Sequence, residues 1–312
     1  MASITEPRTL PSPQPRGKAL ATRRARARVA DRVITGLLWV LVSTVVALLA
    51  YFILYTISQG LGVLNWDFIT SSNAAGNLDG PEVFNTFYIL VLALLVCAPI
   101  GIFGAVYLVE YARQNAFTAV VRFAAETLAG IPSLVIGLFG FLIFVTDHHH
   151  GGLGFGFSRL SAALTLAVLN LPLLIQVSQD ALRNVPNELR EASAALGATR
   201  SQSIFRVLLP SAIPQLATGI ILTAGKMIGE TAAIIFTSGA SSPSTGWQTL
   251  DPRFPGDTLT VHLYTLQSEG IQPDRIRIEN GTAALLIIFL LLFNLGFRWL
   301  AGLLNRRFAG RR

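Results

Sequence analysis

Six runs of predominantly apolar residues constrain this chain more than any other feature. A helix needs about 20 such residues to cross the hydrocarbon layer of a bilayer, and runs of that order extend from Val33 to Ile57, Val83 to Val109, Phe123 to Val145, Leu160 to Gln179, Ile213 to Phe236 and Thr282 to Leu304. With 52% apolar and only 13% charged residues among 312, too little polar surface exists for a water-soluble domain. The expected fold is all-α and polytopic, with six transmembrane helices. Residues 1–32, rich in Pro7, Pro11, Pro13 and Pro15 and then in Arg23, Arg24, Arg26, Arg28 and Arg32, read as a flexible basic tail, 33–305 as the six-span domain, and 306–312 as a second basic tail. The first run is longer than a signal-peptide core and no small-x-small pattern follows Ile57, so it is expected to remain as an anchor.

Charge sets the orientation. Of 24 Lys and Arg residues, 13 lie before Val33 or after Leu295, a distribution that orients a membrane protein and argues against a nucleic-acid partner. The positive-inside rule places both termini in the cytoplasm. It also places Arg113, Arg122, Arg183, Arg190, Arg200 and Arg206 inside, whereas Ser58 to Gly80 and Thr146 to Ser158 contain no Lys or Arg. The long outer connection, 237–281, carries Arg253, Arg275 and Arg277 against five acidic residues, and long loops follow the rule loosely.

Several chemistries are excluded. Cys97 is the single cysteine and sits inside an apolar run, so a disulfide within the chain is impossible and plain packing is its expected role. The histidines, His148 to His150 and His262, fall in outer connections, away from any nucleophile at membrane depth. The three adjacent ones, in a glycine-rich loop, fix no coordination geometry and are not expected to bind metal. Neither Lys18 nor Lys226 is followed by Ser or Thr, which excludes a phosphate-cradling GxxxxGK[ST] loop. The chain is expected to be no enzyme and to bind no cofactor or metal.

Between the fourth and fifth runs, 181–211 reads as two short amphipathic helices and a tight turn. Pro186 suits a helix start and Gly197 a left-handed stop. Thr199 and Gln202 have capping-box spacing, and Pro210 with Pro214 is expected to end or kink the second helix. Ala192, Ser193, Ala194 and Ala195 form a small face that another protein can approach closely. An amphipathic connection lying on the lipid surface is the alternative.

The pattern Glu191-Ala192-Ser193-Ala194-Ala195-Leu196-Gly197, nine residues, then Val207-Leu208-Leu209-Pro210 resembles the EAA loop of ABC importer permeases, with Ser193 and Val207 as conservative departures. Leu128-Ala129-Gly130-Ile131-Pro132-Ser133, Ile228-Gly229-Glu230-Thr231-Ala232, Ser242-Pro243-Ser244-Thr245-Gly246 and Leu259 to Thr265 are similar to phosphate permeases of the PstA type. The resemblance covers the chain from about Val83 to its end. It implies a type I permease fold in a bacterial inner membrane. It also implies half of a phosphate pathway, completed by a PstC-type permease, a PstB-type ATPase dimer that carries ATP and Mg, and a PstS-type phosphate-binding protein. Glu191, Ala192, Gly197 and Pro210 would then couple to the ATPase. Where many members have arginine this chain has Lys226, and another arginine is common near Gln176; Ala233 stands where proline is common. Lysine is a point charge toward an oxyanion and not a bidentate fork, so molybdate, sulfate or another oxyanion stays open as substrate. A stand-alone secondary transporter, which would not need an EAA loop, is the rival class.

Ionisable groups at membrane depth are costly and tend to face a cavity. Lys226 and Glu230, four residues apart, are expected to share one helical stripe with Thr223 and line the passage, with Asn170 and Gln176 of the fourth span adding polar groups. Arg122 and Glu126, also four apart, are expected to form an interfacial ion pair.

Overall fold

A computed structural model describes residues 16–71, 80–112, 115–240, 242–243, 248–269 and 274–309. The expectations that rest on Pro7 to Pro15, Arg113, residues 244–246, Arg311 and Arg312 fall outside them. Every described element is helical: α1 (Arg16–Gly60), α2 (Trp66–Thr70), α3 (Gly80–Val106), α4 (Ala116–Gly130), α5 (Ser133–Gly140), α6 (Arg159–Arg183), α7 (Asn187–Ala195), α8 (Arg200–Ser203), α9 (Leu209–Ile228), α10 (Ala232–Ile235), α11 (Leu259–Glu269) and α12 (Arg275–Ala309), with π-helical turns at Tyr107–Tyr111, Phe141–Val145 and Ile204–Leu208.

Among the described residues, five helices are long and apolar enough to span a membrane: Asp31–Gly60, Gly80–Tyr111, Arg159–Arg183, Arg200–Ile228 and Arg275–Trp299. A sixth span exists only if Thr118–Gly130 and Ser133–Val145, bent by 105° at their junction, count as one. This corrects the single helix expected over Phe123 to Val145. The cause is Pro132, which lacks an N–H and drives the preceding Ile131 into an extended conformation (φ −75°, ψ 133°).

The fifth span is corrected as well. It starts at Arg200 and runs through both prolines to Ile228, so the second helix of the 181–211 connection is the beginning of the span. Leu209 N–H reaches back to the Ile204 carbonyl in a π-type bond, which places Pro210 at the start of the α-helical register of α9, where its missing N–H costs little. At about 1.5 Å per residue the 29-residue helix is about 43 Å long, more than the hydrocarbon layer requires.

α1 begins at Arg16, within the tail read as flexible; its alanines and arginines are strong helix formers. The chain divides into two units, Met1–Tyr55 and Thr56–Arg312. In the first, residues 31–50 are exposed all round, the surface of a helix bathed in lipid or protein. In the second, α3, α6 and α9 pack around Ile89, Leu90, Ala93, Cys97, Leu166, Leu174, Met227 and Ile234, all nearly inaccessible. Cys97 is buried there, as expected of a packing residue. Membrane helices gain nothing from leaving lipid for one another, so close packing has to supply the attraction. A side chain on Gly101 would press on Leu174, one on Gly219 on Val177, and one on Gly140 would overlap Thr165.

Candidate functional site

The connection between α6 and α9 is fixed from below and free above. Val185, Ile204 and Leu208 bury themselves against Ala105, Val106, Ala181 and Leu182. Arg190 of α7 donates to Glu110 at 2.8 Å and to the Leu182 carbonyl at 3.0 Å, tying the short helix to the end of the second span. Ser193 hydrogen-bonds Ser203 at 2.6 Å and donates to the Arg190 carbonyl at 2.9 Å, while the Arg200 guanidinium stacks over Tyr111 at 5.1 Å. The expected capping box is present in both directions, Thr199 N–H to Gln202 and Gln202 N–H to Thr199. Gly197 adopts φ +75° with open space where a Cβ would sit. What remains outward is Glu191, Ala192, Ala194, Ala195 and Leu196, the last 88% exposed. Leu196, just past the end of α7, and the small residues before it thus form an exposed surface.

The two motifs in the third and fifth spans turn out to be the two places where the helices break. Ile131 and Pro132 separate α4 from α5, and Gly229 to Thr231 separates α9 from α10. The short helices beyond the breaks pack on each other, close enough that a Cβ on Gly137 would meet the Ala232 carbonyl and Ala233 Cα at 2.9 Å. Irregular backbone at membrane depth is tolerated only within protein or beside a water-filled cavity.

Lys226 and Glu230 are not on one helix. α9 ends at Ile228, Glu230 lies in the break half-buried, and no ion pair joins the two; the Glu230 carbonyl accepts from Thr260 at 3.3 Å. The helix is capped by Gly229 in an ordinary right-handed conformation (φ −82°, ψ −3°), and the expected stripe stops short there. Lys226 is exposed and continues an outward stripe of Ser211, Gln215, Thr218 and Leu222. Thr223 and Asn170 turn inward instead, each fully buried, with Thr223 donating to the Gly219 carbonyl at 2.9 Å and Asn170 to that of Leu166 at 2.9 Å. Gln176 is exposed in a separate cleft of about 360 Å³ between α4 and α6, together with Arg122, Glu126, Gln179, Asp180 and Arg183. Arg122 and Glu126 thus share a cavity wall and form no ion pair; the bend after α4 leaves the helix as a partly separate arm on which both side chains stay exposed.

The model of the family described as the inner membrane component of binding-protein-dependent transport systems matches residues 97–310. The chain belongs to that family. It is 37% identical over 90% of its length to a probable ABC transporter permease, YqgI of Bacillus subtilis, and covers 98% of that protein. It is 31% identical over 84% of its length to the phosphate transport permease PstA of Haemophilus influenzae, covering 87% of it. In fold it is similar to a chain of a bacterial ABC transporter that imports alginate, with a TM-score of 0.61 and 16% identity over 88% of this chain and 98% of that one. The protein is therefore a multi-pass membrane subunit of an ABC importer, a permease that works with an ATPase and a substrate-binding protein.

One part of this permease lay outside the sequence reading. Within the stretch expected as a long outer connection over 237–281, the described residues 248–269 contribute buried structure: Leu259 and Val261 of α11 are inaccessible, and Arg159 at the head of α6 is fully buried among the rings of Phe84, Tyr88 and Phe254 at 5.1–5.3 Å, its Nη1 donating to the Thr249 carbonyl at 2.6 Å. His262, read as a loop residue, is buried in α11. The signals were Glu82 at the head of α3 and Arg159 at the head of α6, single charges at the starts of two apolar runs. His148 to His150 stay exposed; Asp147 caps them and meets His150 Nδ1 at 2.6 Å.

Proposed function

We propose that this subunit forms one half of a phosphate pathway, and that the outward stripe of α9 is its wall. The observation that carries this reading is the composition of that stripe: Ser211, Gln215, Thr218 and Lys226 are exposed on a helix of membrane-spanning length. A lysine at such depth cannot rest in lipid at low cost; facing a passage shared with a second permease, its three donors and positive charge suit an oxyanion. Glu230 in the unwound segment accepts only, so it favours the P–OH of hydrogen phosphate and disfavours a fully deprotonated anion such as sulfate. Gln176 adds a polar group from the α4–α6 cleft, and buried Thr223 and Asn170 support the helices that carry the wall. Likeness to PstA proteins supports phosphate, and the partners that follow are a PstC-type permease, a PstB-type ATPase pair with ATP and Mg, and a PstS-type binding protein.

Coupling belongs to α7 and its turn. Glu191, Ala192 and Gly197 sit on the exposed surface, and Pro210 lies within the span that follows, where the π-type turn before it accommodates its missing N–H. The excess of basic residues on this side and in both tails makes it cytoplasmic, with the α11 end outside in a bacterial inner membrane. Single cysteines at Gln215, Thr218 and Lys226 in the assembled importer test the wall. Labelling by a membrane-impermeant thiol reagent that phosphate and binding protein slow is the expected result; labelling only by a lipid-soluble reagent would overturn it.

A further inference from the structure

The sixth apolar run, Thr282 to Leu304, contains one charge, Arg298. Six residues, about 9 Å of helix, separate it from the end of the run, so the guanidinium belongs to the apolar stretch and not to its edge. It lines a cleft of about 310 Å³ between α9 and α12, with Thr218, Ile221 and Leu222 of α9 and Asn294 of α12 among the walls. Thr218 and Leu222 also belong to the outward stripe of α9, so the cleft adjoins that stripe.

The charge is not met from within the chain. Among the described residues Arg298 makes no ion pair and no hydrogen bond, and it is exposed. Neither wall supplies an acid: α9 contains none from Leu209 to Ile228, and α12 none after Glu279. A guanidinium keeps its charge, and an ionised group at membrane depth is costly unless it is paired or faces a polar cavity. What surrounds Arg298 offers a donor instead. Asn294 lies one turn before it on the same face of α12, and its Nδ2 gives one hydrogen to the Leu290 carbonyl at 2.9 Å, which leaves the second for the cleft. A planar fork of N–H groups beside an amide N–H, between apolar walls that lower the local dielectric, is complementary to a tetrahedral oxyanion.

We propose that the α9–α12 cleft binds a phosphate group, with two oxygens on the Arg298 fork and a third on Asn294. Two sources carry that chemistry. Inorganic phosphate would meet Arg298 about 8–12 Å along α9 from Lys226 and gain there the bidentate contact that a lysine cannot give; this source rests on the pathway proposed above. The phosphodiester of a membrane lipid would enter the same cleft from the bilayer.

The test uses the purified importer complex without its binding protein, in detergent and stripped of lipid, so that inorganic phosphate and phosphatidylglycerol can be offered separately. Labelled phosphate is followed by equilibrium dialysis and retained lipid by native mass spectrometry, for the parent, Arg298→Gln and Arg298→Lys. Binding weakened by about tenfold or more in Arg298→Gln, the scale of a lost charge-assisted contact, is expected, with Arg298→Lys between it and the parent. Loss confined to phosphate assigns the cleft to the transported anion, loss confined to the lipid assigns it to a headgroup, and loss of both makes it a site that the two share. Both ligands held by Arg298→Gln as tightly as by the parent, or neither held by the parent, would overturn the proposal. Removing a charge that has no partner leaves no counter-charge stranded, so Arg298→Gln is expected to assemble; if its abundance in the membrane falls, Arg298→Lys, which keeps the charge and loses the fork, decides. Parental uptake of phosphate is scored separately: an importer that takes up none refutes the pathway, while the lipid arm still decides the cleft.

Discussion

The Arg190–Glu110 pair should fix α7, the proposed coupling helix, to the permease body, and its strength can be bounded from the structure. At 2.8 Å the two charges attract with about 6 kcal/mol at an effective dielectric constant of about 20, most of it offset by desolvation and lost side-chain freedom. The side chains are 24% and 12% exposed, between exposed pairs, worth about 0.2–1 kcal/mol, and buried pairs, where removing one partner costs about 3–5 kcal/mol. A coupling energy of about 1.5 kcal/mol is therefore expected. Arg190→Gln, which also removes the bond to Leu182, should destabilise by about 2 kcal/mol, and Glu110→Gln by somewhat less. For a domain of this size each kilocalorie lowers Tm by about 2–4 °C. The assay is a double-mutant cycle on the importer in nanodiscs, with melting measured beside ATP hydrolysis stimulated by binding protein. The double variant should melt no lower than Arg190→Gln, and stimulation should fall in all three variants while basal hydrolysis persists. Strictly additive losses, or full stimulation in Arg190→Gln, would refute the reasoning.

Three further outcomes follow from the geometry. Gly197→Ala should destabilise the α7–α8 turn by about 1–2 kcal/mol, through its φ of +75° and not through a clash, and should reduce transport more than ATPase binding, measured by uptake and co-purification. Because no ion pair joins Lys226 and Glu230, Lys226→Gln and Glu230→Gln should have additive effects on stability; a double variant restored toward parental melting would show that the two charges compensate each other, and Lys226→Arg should keep phosphate uptake. Gly140→Ala should cost about 1–3 kcal/mol through overlap with Thr165, and Thr165→Ala in the same chain should recover part of the lost abundance in the membrane.

Local chemistry was readable in the sequence where one residue type has a single structural consequence. Gly197 stops a helix, Thr199 and Gln202 cap one, and both do so as their spacing indicates. Pro132 carried the signal for the bend after α4, yet hydropathy alone merged the two arms, since an apolar run does not reveal an extended residue within it. α9 likewise ends within an apolar run, at Ile228, which separates Glu230 from the stripe that a continuous helix would have given it. Pro210 acted in the other direction: a π-type turn ahead of it, invisible to pattern reading, let the span begin ten residues earlier. The cleft between α9 and α12 joins Thr218 to Arg298, 80 positions apart in the chain, and only packing of α12 against α9 brings them together. Periodicity speaks of one element at a time and carries no such information.

Phosphate import at the expense of ATP is the function proposed for this permease with its partners. Its most direct test is uptake of labelled phosphate into vesicles containing the reconstituted importer, binding protein and ATP, with sulfate and molybdate as competitors. ATP-dependent accumulation that excess sulfate or molybdate leaves nearly unchanged is the result predicted; uptake that proceeds without ATP, or that follows sulfate or molybdate in preference to phosphate, would contradict it.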